Sequence, residues 1–310
     1  MSVWTVTGGG GFIGSNIVEG LVGRGEEVRV VDNFSTGRRS NLEGLRNSIN
    51  LFEGSITDID LLREVFDGTD YVLHQAAIPS VQRSVEDPVR SDRANVGGTL
   101  KVLEAARHSS VKRVVYASSS SVYGDSETLP KHEDMRPMPK SPYAANKLAG
   151  EYYCDVYGHL FDVETVCLRY FNVFGPRQDP ESDYAAVIPI FVRCALEGKS
   201  APVFGDGEQS RDFTYVDNVV QANLLAATAE RAPGNVVNIG CGGRYTLNTL
   251  LDMLDSLVDK EVGREYKEPR AGDVRHSEAD ISRARQLLGY HPEVGFKEGL
   301  RYTVAWYREQ

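Results

Sequence analysis

The sequence predicts an α/β fold in which helices cover both faces of a doubly wound parallel sheet, followed by a smaller α+β lobe. Three observations support it. Strand-like apolar segments alternate with segments of helical periodicity from Ser2 to Val173. The strand segments are almost continuously apolar, which is typical of parallel strands buried on both faces. Parallel neighbours need long crossovers, and the helical segments between the strands can supply them.

The elements follow in order along the chain. The strands predicted from the apolar runs are residues 2–7, 27–32, 70–77, 111–118 and 162–173. The helices predicted from the periodicity are residues 11–25, 61–66, 95–109 and 143–160. The first of them carries Ile13, Ile17 and Leu21 at the spacing of one helix face.

The composition and pattern of the sequence change after these elements. Residues 175–184 are rich in Pro, Gly and charge, which predicts a long loop. A helix at 217–230 and a buried strand at 235–240 are expected to return to the first sheet. We therefore expect a first domain over residues 1–173, to which residues 212–240 return, and a smaller lobe over residues 174–310.

Composition excludes several classes of protein. The 310 residues are 41% hydrophobic, enough for a large core, and the net charge of −10 argues against a nucleic-acid partner. The sequence contains no run of 18 apolar residues, and no charged-then-apolar leader stands before the first strand. We therefore expect no membrane segment and a cytoplasmic location. The four cysteines and six histidines form no metal-ligand spacing, so no metal site is expected.

A glycine-rich turn lies between the first strand and the first helix. TGGGGFIG (7–14) places Gly8, Gly11 and Gly14 where a tight turn can approach a pyrophosphate and a helix N-terminus can face it. Asp32, at the end of the second strand, can accept both ribose hydroxyls of NAD and would repel a 2′-phosphate. The turn predicts dinucleotide binding, with NAD preferred over NADP despite Arg38 and Arg39.

YAANK (143–147) places Tyr143 and Lys147 four residues apart on one face of a predicted helix. An ammonium group near a phenol favours the phenolate and lowers its pKa from about 10. The pair is therefore predicted to act as a general base near neutral pH.

These motifs together resemble the extended short-chain dehydrogenase/reductase family. The resemblance is carried by TGGGGFIG, Asp32, HQAA (74–77), NVGGT (95–99), SSSSVYG (118–124), YAANK and RYFNVFGPR (169–177). Within that family the chain is most similar to the nucleotide-sugar 4-epimerases, and among them to UDP-N-acetylglucosamine 4-epimerases. The resemblance implies a Rossmann-type first domain and an isomerase with tightly bound NAD.

The resemblance also implies roles for particular residues. Ser119, Tyr143 and Lys147 are the implied catalytic set: Tyr143 removes the proton of the sugar 4-OH, Ser119 relays it, and Lys147 holds the nicotinamide ribose. The implied cofactor contacts are Gly8, Gly11, Phe12, Ile13, Gly14, Asp32, Asn33, Ser35, Thr36, Gly37, Ile56, Gln75, Ala76, Ala77, Asn95, Tyr143 and Lys147. The implied contacts with a UDP-sugar are Ser80, Ser120, Ser121, Asn172, Gln178, Ala186, Val187, Phe204, Arg211, Arg270, Asp273 and Ser277.

The row of serines distinguishes among the activities of this superfamily. Related dehydratases and decarboxylases carry an acidic residue directly before the V-Y-G, whereas this chain has Ser120 and Ser121. Neutral hydroxyls can hydrogen-bond a sugar but are poor proton donors. The row therefore favours epimerisation alone, although the two serines can also be interpreted as caps of the strand end.

Ser277 bears on the choice of sugar. Epimerases restricted to UDP-glucose and UDP-galactose carry a bulky Tyr at the aligned position, and relatives that accept N-acetylated sugars carry a small residue. Gln178 and Ala186 also resemble the latter group. We therefore expect interconversion of UDP-GlcNAc and UDP-GalNAc, with UDP-Glc and UDP-Gal as further substrates.

Other readings stay open at this point. They are a 4-epimerase for UDP-glucose only, a UDP-glucuronate 4-epimerase, and a non-catalytic NAD-binding sensor or scaffold. Two residues depart from the family pattern, since Ser55 replaces an Asp near the adenine and Pro79 replaces a Gly beside the sugar. Relatives pair through the helices at 95–109 and 143–160, so a homodimer is expected by analogy.

Overall fold

The structure, a computed structural model, describes residues 1–180, 186–269 and 274–310. Its strands are β1 (Val3–Thr7), β2 (Glu27–Asp32), β3 (Asn50–Glu53), β4 (Tyr71–His74), β5 (Arg113–Ser119), β6 (Glu164–Tyr170), β7 (Val173–Phe174), β8 (Ala201–Phe204), β9 (Ser210–Arg211), β10 (Thr214–Tyr215), β11 (Asn235–Ile239), β12 (Tyr245–Thr246) and β13 (Arg264–Lys267). Its α-helices are α1 (Phe12–Gly23), α2 (Ile59–Phe66), α3 (Val81–Glu86), α4 (Pro88–Asp92), α5 (Gly98–His108), α6 (Pro142–Phe161), α7 (Val187–Glu197), α8 (Val216–Thr228), α9 (Leu247–Val258), α10 (Ser282–Leu288) and α11 (Phe296–Arg308). No helix in these ranges is both long and apolar enough to span a bilayer.

A seven-stranded sheet forms the centre, in the order β11–β6–β5–β4–β1–β2–β3. All six pairings between its strands are parallel. One apolar core packs α1, α8 and α10 against one face, and a second packs α2, α5 and α6 against the other. The predicted α/β fold with a doubly wound parallel sheet is thus confirmed, and all of its strands except β3 are largely buried, as their apolar sequences require.

A third apolar core lies outside the sheet, in the later part of the chain. It is built from α7, α9 and α11 with β8 and β10. Its centre is aromatic: the ring of Phe213 stacks on Phe296 with centroids 5.0 Å apart, and Phe174 meets Phe296 edge-on at 5.5 Å. The division of the chain into two domains stays a prediction.

Several predicted elements differ from those observed, and the differences lie at the site. The strand predicted over 70–77 ends at His74, so that Gln75–Ala77 lie beyond the sheet edge. The helix predicted over 95–109 begins as a π-helix, Arg93–Gly97, before α5. The strand predicted over 162–173 breaks after Tyr170, because Asn172 adopts a left-handed φ of 33° that no strand tolerates. The loop predicted over 175–184 lies partly outside the described residues.

Asp212 holds three segments of chain together. Its buried carboxylate accepts hydrogen bonds from the backbone N–H groups of Cys241 (2.8 Å), Gly242 (3.0 Å) and Ala279 (3.1 Å). We expect Asp212→Asn to lower the free energy of unfolding by about 2 kcal/mol, because the amide NH₂ would face at least one of these buried donors. Urea denaturation measures the change, and a midpoint equal to that of the unsubstituted protein would contradict it.

Candidate active site

The candidate site lies along the carboxyl edge of the sheet, where ligands bind in open α/β sheets. The ends of β1, β2, β4 and β5 meet there with the first two turns of α6. They surround a cavity of about 360 Å³. Fifteen residues predicted to bind the cofactor line it: Gly8, Gly11, Phe12, Ile13, Gly14, Asp32, Asn33, Ser35, Thr36, Ile56, Gln75, Ala76, Ala77, Tyr143 and Lys147.

The glycine-rich turn leaves no room for side chains at two of its positions. Gly8 has a φ of 73°, and a Cβ there would lie 2.6 Å from the backbone nitrogen of Ala76. A Cβ on Gly14 would lie 2.1 Å from the carbonyl oxygen of Gly8. α1 begins at Phe12 without a side-chain cap, so the first N–H groups of the helix are left for a ligand. This turn therefore fits the pyrophosphate of a dinucleotide.

The Asp32 carboxylate is fixed beside this turn. It accepts hydrogen bonds from the backbone N–H groups of Gly10 (2.8 Å) and Phe34 (2.7 Å), and burial raises its pKa. The two nearby arginines are engaged elsewhere, since Arg39 bonds Glu53 at 2.5 Å and Arg38 bonds Asp179 at 2.6 Å. Both guanidinium groups are thus paired with carboxylates and are not directed at a 2′-phosphate. The Asp32 carboxylate at the end of β2 fits the ribose hydroxyls of NAD.

Two residues predicted to contact the cofactor lie behind the cavity wall. A Cβ on Gly37 would lie 2.7 Å from the backbone carbon of Gly10, so Gly37 lets one loop pack on another. Asn95 is buried and its Oδ1 accepts the N–H of Ile78 at 2.8 Å, which fixes a residue of the wall.

His74 lies behind the same wall, within a chain of hydrogen bonds. The hydroxyl of Thr99 donates to the carbonyl of Asn95 (2.6 Å), so it accepts from Nε2 of His74 (3.0 Å). Nδ1 of His74 is then the acceptor for the hydroxyl of Thr7 (2.7 Å). Burial, aided by the charge of Lys147, lowers the pKa of His74 to about 3. His74 is neutral, with both ring nitrogens engaged, which suits packing rather than proton transfer.

Tyr143 and Lys147 reach the cavity from α6, as their spacing predicts. The Nζ of Lys147 donates to the carbonyl of Ala117 (2.7 Å) and lies 5.8 Å from the centroid of the Tyr143 ring. Burial raises the pKa of Tyr143 to about 12, although a hydrogen bond with Ser119 opposes it, and burial lowers that of Lys147 to about 8. The expectation that Lys147 brings the Tyr143 pKa below its usual value is therefore wrong for the chain without cofactor, because burial raises that pKa and the ammonium is distant from the ring.

The four serines after β5 have different surroundings. Ser118 lines the cavity and donates to Glu151, while the Ser119 Oγ accepts the N–H of Ser121 (3.2 Å). Ser120 begins a short 3₁₀ turn, and the Oγ of Ser121 is buried without a hydrogen-bond partner among the described residues. A buried hydroxyl without a partner is rare in folded proteins, which makes Ser121 a candidate for contact with a ligand.

Asp212 brings together three residues predicted to contact the sugar nucleotide. Its carbonyl accepts the side-chain amide of Asn172 (3.0 Å), and its N–H donates to the carbonyl of Ser277 (2.8 Å). Arg211, the last residue of β9, directly precedes Asp212. The N–H of Ser277 donates to the carbonyl of Ser210, the other residue of β9 (3.0 Å). Ser277 is partly exposed and makes no side-chain hydrogen bond with any described residue.

The other predicted substrate residues are scattered. Phe204 lines a second cavity of about 690 Å³ with Gln209 and Tyr266. Neither cavity contains Ser80, which caps α3, nor Gln178, whose amide donates to the carbonyl of Val173. Val187 begins α7 with Ala186 as its N-cap, and neither residue lines either cavity. Arg270 and Asp273 lie outside the described residues.

Comparison with known proteins identifies the family. The model described as "NAD dependent epimerase/dehydratase family" matches residues 4–240. The chain belongs to this family.

Relatives in the family act on different sugars. A UDP-glucose 4-epimerase from Mycolicibacterium smegmatis is 39% identical over 98% of each chain. A UDP-glucuronate 4-epimerase from Thermodesulfobacterium geofontis is 35% identical over 100% of this chain and 97% of its own. A solved UDP-N-acetylglucosamine 4-epimerase from Methanobrevibacter ruminantium M1, in complex with UDP-N-acetylmuramic acid, superposes with a TM-score of 0.95 at 39% identity over 100% of this chain and 99% of its own.

Membership confirms the resemblance drawn from the motifs and NAD as the cofactor of the family. It does not choose among glucose, N-acetylglucosamine and glucuronate. The roles of individual residues stay predictions.

Several residues of the cavity wall were missed by the sequence analysis. They include Ser118, Tyr170, Arg90 and Arg93. Ser118 and Tyr170 stand within the quoted motifs and could have been inferred from strands ending at the sheet edge. Arg90 and Arg93 could not, because α4 and the π-helix that carry them have no periodic signal in the sequence.

Proposed function

We propose that this NAD-dependent UDP-sugar 4-epimerase interconverts UDP-GlcNAc and UDP-GalNAc, and accepts UDP-Glc and UDP-Gal as further substrates. The observation that carries the choice of sugar is the small side chain of Ser277, tethered through Asp212 to Asn172 and next to Arg211. A serine leaves space that a bulky aromatic side chain would fill, and a 2-acetamido group needs space while the sugar turns over.

We assign the proton transfer to Tyr143 and Ser119. Tyr143 takes the proton of the 4-OH, and Ser119, whose hydroxyl acts to lower the Tyr143 pKa, relays it. When bound, NAD would supply the hydride acceptor and donor for C4 of the sugar, and its oxidised nicotinamide would bring a positive charge. A cation near a phenol lowers the pKa of the phenol, so that positive charge would favour the phenolate of Tyr143. Lys147 anchors the nicotinamide ribose with the ammonium group it holds at the end of β5.

The remaining assignments concern the nucleotide. Arg211 pairs with the diphosphate, which suits a planar guanidinium. Phe204 packs beside the uracil, supported by its place in the wall of the second cavity. Ser121 hydrogen-bonds the sugar through its unpartnered hydroxyl. Arg270 and Asp273 keep the contacts implied by the family resemblance.

The test is turnover without added cofactor. Purified protein is incubated separately with UDP-GlcNAc, UDP-Glc and UDP-glucuronate, and products are quantified by NMR. Formation of UDP-GalNAc at least as fast as UDP-Gal supports the proposal. UDP-Gal alone would assign the protein to the glucose epimerases, and UDP-galacturonate alone to the glucuronate epimerases. If none of the three substrates gave a product, the proposal would be wrong and the alternative of a non-catalytic NAD-binding protein would be favoured.

A substitution at Ser277 tests the choice of sugar directly. We expect Ser277→Tyr to slow UDP-GlcNAc turnover by more than tenfold and to leave UDP-Glc turnover within about threefold, because only the acetamido group needs the space. Ser277→Ala is the matched control, since it keeps the space and removes only the hydroxyl. Equal loss on both sugars would contradict the role of Ser277.

We also propose a cytoplasmic homodimer. Tyr152, Val156 and Leu160 form an exposed apolar stripe on α6, and Val85 and Val89 extend it over α3 and α4. An apolar face of this extent is typical of a subunit contact. Light scattering should give twice the mass of one chain, and the monomer mass at micromolar concentration would contradict the homodimer.

A further inference from the structure

A buried ion pair lies directly behind the candidate active site. Glu151 of α6 and Arg169 of β6 are 4% and 3% exposed. Nε and Nη2 of Arg169 donate to the two carboxylate oxygens of Glu151 at 2.9 and 2.7 Å. Removing two charges from water is expensive, and such pairs are seldom more stabilising than apolar residues of the same volume. Its burial beside the cavity therefore calls for a role other than stability.

The pair is bonded to the cavity wall. The hydroxyl of Ser118 donates to Oε1 of Glu151 (2.5 Å), and Ser118 directly precedes Ser119. Lys147 donates to the carbonyl of Ala117, the residue before Ser118. Two successive residues at the end of β5 are thus held by Lys147 and Glu151, which lie one helical turn apart on the face of α6 that also carries Tyr143.

Glu151 also acts on the charge of Lys147. Burial is the largest influence on the Lys147 pKa and lowers it, whereas the carboxylate of Glu151 raises it. The titratable groups that act on or lie beside Lys147 are Tyr143, Glu151 and Cys154 on α6, His74 on β4 and Tyr116 on β5. The cavity that Lys147 lines is also lined by Asp32, Arg90, Arg93 and Tyr170. Among these described groups, Glu151 is the carboxylate that raises the Lys147 pKa.

We propose that the Glu151–Arg169 pair is a positioning element of the reaction centre. It fixes the Ser118 hydroxyl and the strand end that carries Ser119, and it keeps Lys147 charged through the carboxylate of Glu151. Arg169 orients that carboxylate with two hydrogen bonds, leaving an oxygen to receive Ser118. The inference rests on the proposed roles of Ser119, Tyr143 and Lys147.

Two variants separate the two effects. Ser118→Ala removes the hydroxyl and leaves the ion pair intact, so we expect kcat to fall about fivefold with KM for the UDP-sugar unchanged. The double variant Glu151→Gln with Arg169→Met removes both charges without leaving one unpaired. We expect the alkaline limb of its kcat–pH profile to move to a lower pH, because the Glu151 carboxylate that raises the Lys147 pKa is gone.

The chain offers a matched control at the opposite end of the same two strands. Arg113 of β5 bonds Glu164 of β6 at 2.9 Å, and the two residues are paired in the register that also pairs Ser118 with Arg169. Glu164→Gln makes the same glutamate-to-glutamine change away from the cavity, and Arg113 keeps the carbonyl oxygens of Ala226 and Ala229 as acceptors. We expect it to keep the unsubstituted kcat and pH profile.

The outcomes distinguish this inference from the proposed function. An unmoved pH profile in the double variant, together with kcat of Ser118→Ala within twofold of the unsubstituted enzyme, overturns the inference. If the double variant does not fold, the kcat of Ser118→Ala decides alone. Full activity in Tyr143→Phe would instead overturn the proposed catalytic roles, whatever the ion pair does.

Discussion

Tyr143→Phe should reduce kcat about 1,000-fold while the protein keeps its fold and its NAD. The change removes one hydroxyl and leaves the buried ring, so packing on α6 is preserved. A positioned acid–base group contributes 10²- to 10⁴-fold to a rate, and no described neighbour can replace it. Ser119 stays an alcohol and His74 is neutral with both nitrogens engaged. Product formation is followed by NMR, and NAD content by chromatography after denaturation.

Tyr302→Phe provides the control for this prediction. Tyr302 lies on α11, is 38% exposed and bonds Glu298 through its hydroxyl, so the same atom is removed away from the candidate site. It should leave kcat and NAD content unchanged. Residual activity of Tyr143→Phe above a tenth of the unsubstituted value would remove Tyr143 from the catalytic set.

Gly14→Ala should abolish NAD retention and destabilise the first domain. The new Cβ would lie 2.1 Å from the carbonyl oxygen of Gly8 and 2.9 Å from the Cα of Gly9. Both contacts are to backbone, so no side-chain rotation relieves them, and the turn itself must shift. We expect a loss of about 3 kcal/mol or more in the free energy of unfolding and less than a tenth of the usual bound NAD.

Gly23→Ala makes the same substitution at the end of the same helix. A Cβ there meets nothing within 4 Å, and alanine favours a helix over glycine by up to about 1 kcal/mol. Gly23→Ala should therefore match or exceed the unsubstituted protein in stability, with full NAD content. Normal NAD retention in Gly14→Ala would mean that the turn is not the pyrophosphate site.

Much of the fold could be predicted because its parallel strands are apolar and its crossovers are periodic. β2 was located to the residue, and α6 differs from its prediction by one residue at each end. The misses have physical causes. β3 is short and largely exposed, so it carries no apolar run. α3 and α4 have only six and five residues, too few to show a helical period, and each begins at a side-chain cap.

The candidate site was predictable where a motif joins a strand end. Gly8, Asp32, Tyr143 and Lys147 follow from spacing because parallel strands present their carboxyl ends at one edge. The Glu151–Arg169 pair could not be inferred, because a charged residue in a helix is usually exposed and only packing of α6 on β6 buries it. The convergence of Asn172, Arg211 and Ser277 on Asp212 likewise depends on tertiary contacts between distant segments.

The strand order also has a consequence for the newly made chain. β6 lies between β5 and β11, and β11 is made only after α7, α8 and the short strands between them. While the ribosome is still translating those segments, β6 is the open edge of a sheet whose other strands already exist. Unpaired strand edges can pair with strands of other chains, and six of the seven residues of β6 are buried in the finished protein. The emerging polypeptide therefore carries an edge open to mispairing until residue 239 arrives to close it.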